Sequence, residues 1–166
     1  MVIDASVARS CNDPTENEDA AACFLFLSEL SKRDRDTGVI VNDELDREWE
    51  VHASGAFVRW LARMETRKRV VRVPVKRLAD YRKVVAGVSD TGIRVALEKD
   101  AHLVELSLIG QNPVVSRDDR QQRYVRDLAV DYPLVGSIQW INPVNHGDWR
   151  SWFDRGCDRH SFALAT

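Results

Sequence analysis

Residues 99–119 carry the pattern that most narrows what this chain can fold into. Lys99-Asp100-Ala101-His102-Leu103-Val104-Glu105-Leu106-Ser107-Leu108 reads as an amphipathic helix opened by an acid. A turn at Gly110-Gln111-Asn112 follows, then Pro113-Val114-Val115-Ser116 as a buried strand running straight into Arg117-Asp118-Asp119. Helix, short turn and apolar strand is the unit of an open α/β sheet, in which functional groups gather at the carboxyl ends of the strands. Asp118 sits at such an end, and Asp100 begins the helix that feeds the strand. Met1-Val2-Ile3-Asp4 repeats the device: a minimal apolar strand, then an acid.

The rest of the chain extends the alternation. Thr15-Glu16-Asn17-Glu18 reads as a capping box, with Ala20, Cys23, Phe24, Leu27 and Leu30 as the apolar stripe behind it. Ser31 to Thr37 is a charged exit, and Gly38 marks a turn. Val39-Ile40-Val41 is a β-branched strand bounded by Asn42 as a helix cap. Leu45, Trp49, Ala53, Phe57, Trp60, Leu61 and Met64 then form one long helical stripe, with Glu44 and Glu48 near its start. Val70 to Val73 reads as an edge strand guarded by charges and Pro74, and helical patterning returns from Val75 to Val85. Asp119 to Val130 reads as a helix, Val135 to Ile141 as a last strand, and Trp149, Trp152 and Phe153 as a docking turn before a frayed tail. The expected fold is a three-layer α/β/α sandwich with a short, mainly parallel sheet of four to five strands. Residues 1–145 form its main domain, and residues 146–166 an extension packed on it.

A length of 166 residues suits one core, and net charge nearly cancels at −2, so the overall balance names no partner. The distribution is uneven. Residues 1–50 hold 13 acids and 5 bases, while residues 59–83 hold 10 bases and 2 acids, which makes the second segment a candidate anion contact. Within it Arg67, Lys68, Arg69 and Arg72 are candidates for contact with nucleic-acid phosphates, against the plain reading of a solvated charged face. Cys11, Cys23 and Cys157 are odd in number and unpaired by spacing, so reduced thiols and a cytoplasmic location are expected. No run approaches the ~20 apolar residues of a membrane span. His146, Cys157 and His160 superficially resemble zinc ligands but lack a fourth ligand and the usual spacing. No Gly-rich phosphate loop or G-x-S-x-G elbow is present.

With these residues in order, the chain resembles a PIN domain, the fold shared by many small metal-dependent ribonucleases and toxin components. Val2-Ile3-Asp4-Ala5-Ser6 is similar to the family's opening strand and first aspartate. Val39-Ile40-Val41-Asn42 with Glu44-Leu45-Asp46-Arg47-Glu48-Trp49 looks like its second strand and acid-bearing helix. Asp100, within Glu98-Lys99-Asp100-Ala101-His102, resembles the third acid, and Val114-Val115-Ser116-Arg117-Asp118 the strand with a hydroxyl two residues before the fourth. Ile138-Gln139-Trp140-Ile141-Asn142-Pro143 suits the last strand. The resemblance spans roughly residues 1–145 and implies a Mg²⁺- or Mn²⁺-dependent endoribonuclease with RNA as substrate in preference to DNA. An antitoxin, another protein or a second copy of the chain are the partners it leaves open. No counterpart in the family is assigned to the basic segment or to the chain after Pro143.

Phosphodiester hydrolysis needs an activated water and relief of charge on the leaving oxygen, which hard divalent ions supply from oxygen ligands. Asp4, Glu48, Asp100 and Asp118 are the expected metal ligands and catalytic residues, with water as nucleophile. Glu44 competes with Glu48 for the second of these positions, Glu48 fitting the resemblance better; Ser116, Asp119 and Glu44 are candidates for supporting roles around them, and Asp119 also reads as first-turn charge favoured by the helix dipole. Each acid has a plainer reading as well. Asp100 and Asp118 would serve as helix caps, Glu48 as a surface residue and Asp4 as a turn former. A PIN-like module that binds RNA or protein without cutting is the alternative function.

Overall fold

Successive strand residues face opposite sides of a sheet, and here both sides are buried. Val2 and Ile3, Val114 and Val115, and Trp140 and Ile141 are all inaccessible to solvent, so helices must cover both faces of the sheet they form. The structure is a computed structural model that describes residues 1–33 and 37–165. Part of the charged exit expected at Ser31 to Thr37 therefore lies outside the described residues.

The strands are β1 (Val2–Ile3), β2 (Val39–Val41), β3 (Val70–Arg72), β4 (Val114–Val115) and β5 (Trp140–Ile141). They pair in parallel as β1-β4-β5 and β2-β3, with Val2 opposite Val114, Val114 opposite Trp140 and Val39 opposite Val70. The two sheets meet where the Met1 amine donates to Gly38 O (2.6 Å) and Ile40 N to Met1 O (2.9 Å), a parallel pairing pattern. The strands thus lie side by side in the order 3-2-1-4-5. Chain direction across the sheet reverses between β1 and β4, and the carboxyl ends of such neighbours open a crevice. Asp4 and Ser116 follow those two strands. Gly38 permits the close pairing of β2 and β3: a Cβ there would lie 2.6 Å from Arg69 O.

The helices are α1 (Ala5–Ser10), α2 (Glu18–Lys32), α3 (Asp43–His52), α4 (Gly55–Thr66), α5 (Ala79–Ala86), α6 (Thr91–Lys99), α7 (Ala101–Gly110), α8 (Asp119–Asp127) and α9 (Trp149–Asp154). Indoles fasten several of them to backbone elsewhere: Trp49 Nε1 donates to Ile3 O (2.9 Å) and Trp60 Nε1 to Leu27 O (2.9 Å). Among the described residues, no helix is long and apolar enough to cross a membrane.

Several local expectations are corrected. The cap of α2 is Asn17, whose side chain accepts from Ala20 N at 2.8 Å, while Thr15 bonds instead to Asp13. The long helix from Leu45 breaks in two at Ala53–Ser54, and Ser54 Oγ caps α4 by accepting from Phe57 N at 3.1 Å. The helix expected from Val75 begins only at Ala79. The strand expected from Val135 is a 3-10 turn over Pro133–Ser137, and only Trp140–Ile141 pairs. The extension is held in place through Ala165, whose N–H donates to Gly136 O (3.0 Å). Trp149 and Phe153 pack on Phe26, with centroids 5.1 Å away in each case, and Ala163 pairs antiparallel with Gln139.

The helix opened by Asp100 is not amphipathic: residues 101–107 of α7 are all buried, including His102, Glu105 and Ser107. Glu105 and Ser107 find hydrogen-bond partners inside. Arg82 Nε and Nη2 clasp Glu105 at 2.8 and 2.7 Å, and Ser107 Oγ donates to Asn112 O at 2.7 Å.

Candidate functional site

Asp4 occupies the N-cap position of α1, yet its carboxylate does not cap the helix. Its backbone N–H is held by Val115 O (2.9 Å), and its Oδ2 accepts from two hydroxyls, Ser6 Oγ and Ser116 Oγ (2.6 Å). Ser116 Oγ also accepts from Asp118 N at 3.0 Å, so one buried hydroxyl ties the first acid to the turn bearing the last. Asp118 does cap α8, its Oδ1 accepting from Gln121 N at 2.9 Å. Asp100 stands at the junction of α6 and α7 and makes no cap bond, which removes its plain reading. Glu48 reaches in from α3.

A cleft of about 170 Å³ brings Asp4, Glu48, Asp100 and Asp118 together with Lys99. Ser6, Arg9 and His52 also line it. The acids come from four separate parts of the chain, and the cleft lies at the carboxyl ends of β1 and β4. Among the described residues, no three His, Cys, Asp or Glu side chains converge tightly enough to form a ready-made metal cage.

The charges in the cleft act on one another. Burial pushes the Asp100 carboxyl above its ordinary value; Lys99, whose Nζ lies 3.4 Å away, opposes this, and the Asp4 and Glu48 carboxylates reinforce it. Burial also pushes Glu48 upward, but His102, Lys99 and His52 outweigh it, and the net shift is downward. The opposite balance holds for His102. Burial would lower its pKa, but Glu48, Asp100 and Glu44 raise it overall. Lys99 is held protonated, chiefly by Asp100.

The supporting candidates divide. Ser116 is at the site. Glu44 lies outside the cleft lining and faces Arg77 at 3.5 Å. Asp119 turns to Asn142 Nδ2 (2.8 Å) and Asn145, so it ties α8 to the loop after β5.

The basic segment requires correction. Arg69 is buried and donates to the carbonyls of Leu30 (2.8 Å), Ser31 (3.0 Å) and Thr37, which removes it from the candidate phosphate contacts. Arg72 is paired with Asp46 (2.5 Å) and Glu65 (2.7 Å). Arg67 donates to Ser31 O at 3.0 Å, and Lys68, at φ 57°, turns the chain into β3. His146, one of the three zinc-like residues, accepts from Asn142 N (3.1 Å) and stacks on Phe162.

Sequence reading assigned no role to Ser6, Arg9, His52, Lys99 or His102. Proximity was the available signal for three of them: Ser6 stands two residues after Asp4, and Lys99 and His102 flank Asp100. No family model matches the chain, and no curated protein or solved structure matches it.

Proposed function

We propose that this chain is a divalent-cation-dependent nuclease of PIN-like architecture that hydrolyses RNA. One observation carries the reading: Asp4, Glu48, Asp100 and Asp118, from four parts of the sequence, line one cleft where the strand order reverses. The donor set is hard oxygen, which suits Mg²⁺ or Mn²⁺. The looseness of the set also fits, because Mg²⁺ keeps several waters and is usually held by only one or two carboxylates directly. Burial is the main cause of the upward shift of Asp100, and the part that Asp4 and Glu48 add to it is repulsion a cation would relieve.

When bound, such an ion supplies an activated water and relieves charge on the phosphodiester. The chain's own residues do the rest. Asp4, Glu48, Asp100 and Asp118 hold the ion, and Ser6 and Ser116 fix Asp4 by occupying its Oδ2. Lys99, protonated and largely exposed at the rim, offers positive charge to an incoming phosphate. The preference for RNA over DNA rests on the resemblance alone, and a toxin paired with an antitoxin is a narrower form of the same reading.

A PIN-like module that binds RNA or protein without cutting is the second reading, favoured by one detail: Asp118 Oδ1 is committed to capping α8. Incubating the chain with single-stranded RNA, with and without Mn²⁺, separates the two. Metal-dependent cleavage that is lost in Asp100→Asn supports the nuclease. RNA retention without cleavage, indifferent to Mn²⁺, supports the binding module.

A further inference from the structure

We infer that His102 is a positioning residue, which aims the Glu48 carboxylate into the cleft from the helix that Asp100 begins. This rests on the nuclease reading and deepens it. His102 is only 4% exposed, and its Nε2 has no hydrogen-bond partner. That atom lies 3.5 Å from Glu48 Oε2, across the contact between α3 and α7. Leaving an imidazole nitrogen unpaired on a helix buried nearly all round is costly unless something compensates for it. Here the compensation is Glu48, which is 27% exposed at the cleft while His102 is shut behind it.

The arrangement gives Glu48 a fixed inner oxygen and an outer one. Oε2 faces the imidazole, so a cation in the cleft would be taken by the other oxygen. Carboxylates that hold metals are commonly oriented by a hydrogen bond from behind, and polar contacts of this kind are often long in a free site and tighten on loading. The pairing also distinguishes the two glutamates on α3. Glu44 has Arg77 at 3.5 Å, whereas Glu48 has the imidazole of His102, on the helix that carries Asp100, at the same distance.

A Mn²⁺ titration by calorimetry on the full chain tests this without reference to turnover. The variants are His102→Leu, His102→Gln, Glu48→Gln and the His102→Leu/Glu48→Gln double mutant, with folding checked by circular dichroism. His102→Leu should weaken Mn²⁺ binding by about 10-fold or more, the loss typical of removing a residue that orients a ligand. His102→Gln, which can place an amide N–H near the same point, should restore most of the affinity. On the Glu48→Gln background, His102→Leu should add no further loss. If the Leu variant does not fold, His102→Met takes its place with the same expectation.

Unchanged affinity in His102→Leu, or an equal loss on both backgrounds, overturns the positioning role while leaving the metal site standing. A wild-type chain that binds no Mn²⁺ overturns both.

Discussion

Ser116 Oγ donates to Asp4 Oδ2 across 2.6 Å, joining residues 112 positions apart at the ends of two neighbouring parallel strands. The same hydroxyl accepts from Asp118 N. Ser116→Ala removes a buried hydrogen bond to a charged group, a change of about 1.5–3 kcal/mol. Thermal unfolding should therefore fall by several degrees, at roughly 2–4 °C per kcal/mol for a chain of this size. Ser116→Thr, which keeps the hydroxyl, should recover part of the loss. An unchanged melting temperature in Ser116→Ala would remove the hydroxyl from the site's support.

Asp100 carries a sign that can be checked against pH. Its folded pKa lies above its ordinary value, so the folded state holds the proton more tightly than the unfolded chain. Stability is then lost as pH rises from the ordinary aspartate range through the raised folded value. Asp100→Asn removes that loss. In metal-free buffer the variant should be as stable as wild type or more so at neutral pH, and the difference should shrink in acid. Denaturant unfolding at the two pH values reads this directly, and a clear loss of stability in Asp100→Asn at pH 7 would make the residue structural.

Glu48 lines the cleft and Glu44 does not. They lie about 6 Å apart along the axis of α3, so one ion can engage only one of them closely. Glu48→Gln should cut Mn²⁺-dependent RNA cleavage by at least ~100-fold and Glu44→Gln by less than ~10-fold. The reverse order in paired assays would transfer the role to Glu44.

What the sequence made legible follows from where each signal lies. Val39-Ile40-Val41 with Asn42 were readable because strand propensity and capping chemistry are local. The break at Ala53–Ser54 was hidden because Trp49, Ala53 and Phe57 keep helical spacing across it. The burial of α7 was hidden because His102 and Glu105 look like an outward polar face. Their partners, Glu48 and Arg82, lie 54 and 23 positions away in the chain. The acids read from strand ends, helix starts and the resemblance line the cleft, and Ser116 was read beside Asp118, but Ser6, His52, Lys99 and His102 carried no pattern that assigned them. Arg69 misled for a related reason: charge is visible in sequence, whereas the Leu30, Ser31 and Thr37 carbonyls that claim it are not.

Arg69 therefore carries its own prediction. Arg69→Ala removes the buried guanidinium that holds the Thr37 carbonyl and shares those of Leu30 and Ser31 with Arg33 N and Arg67, and should destabilise the fold by about 1–3 kcal/mol, the cost of one buried group left unmet. Chemical unfolding measures this. An Arg69→Ala variant of wild-type stability, with weakened and less salt-dependent RNA binding, would return Arg69 to the phosphate contacts.

The most direct test of the four-acid cleft is single-turnover cleavage of a labelled single-stranded RNA in Mn²⁺. The rate would be compared among wild type, Asp4→Asn, Glu48→Gln, Asp100→Asn and Asp118→Asn, with chelator as the blank. Wild type should cleave, chelator should abolish cleavage, and every one of the four folded variants should lose about 100-fold or more. Cleavage that survives chelator, or full activity in the folded variants, would contradict the account.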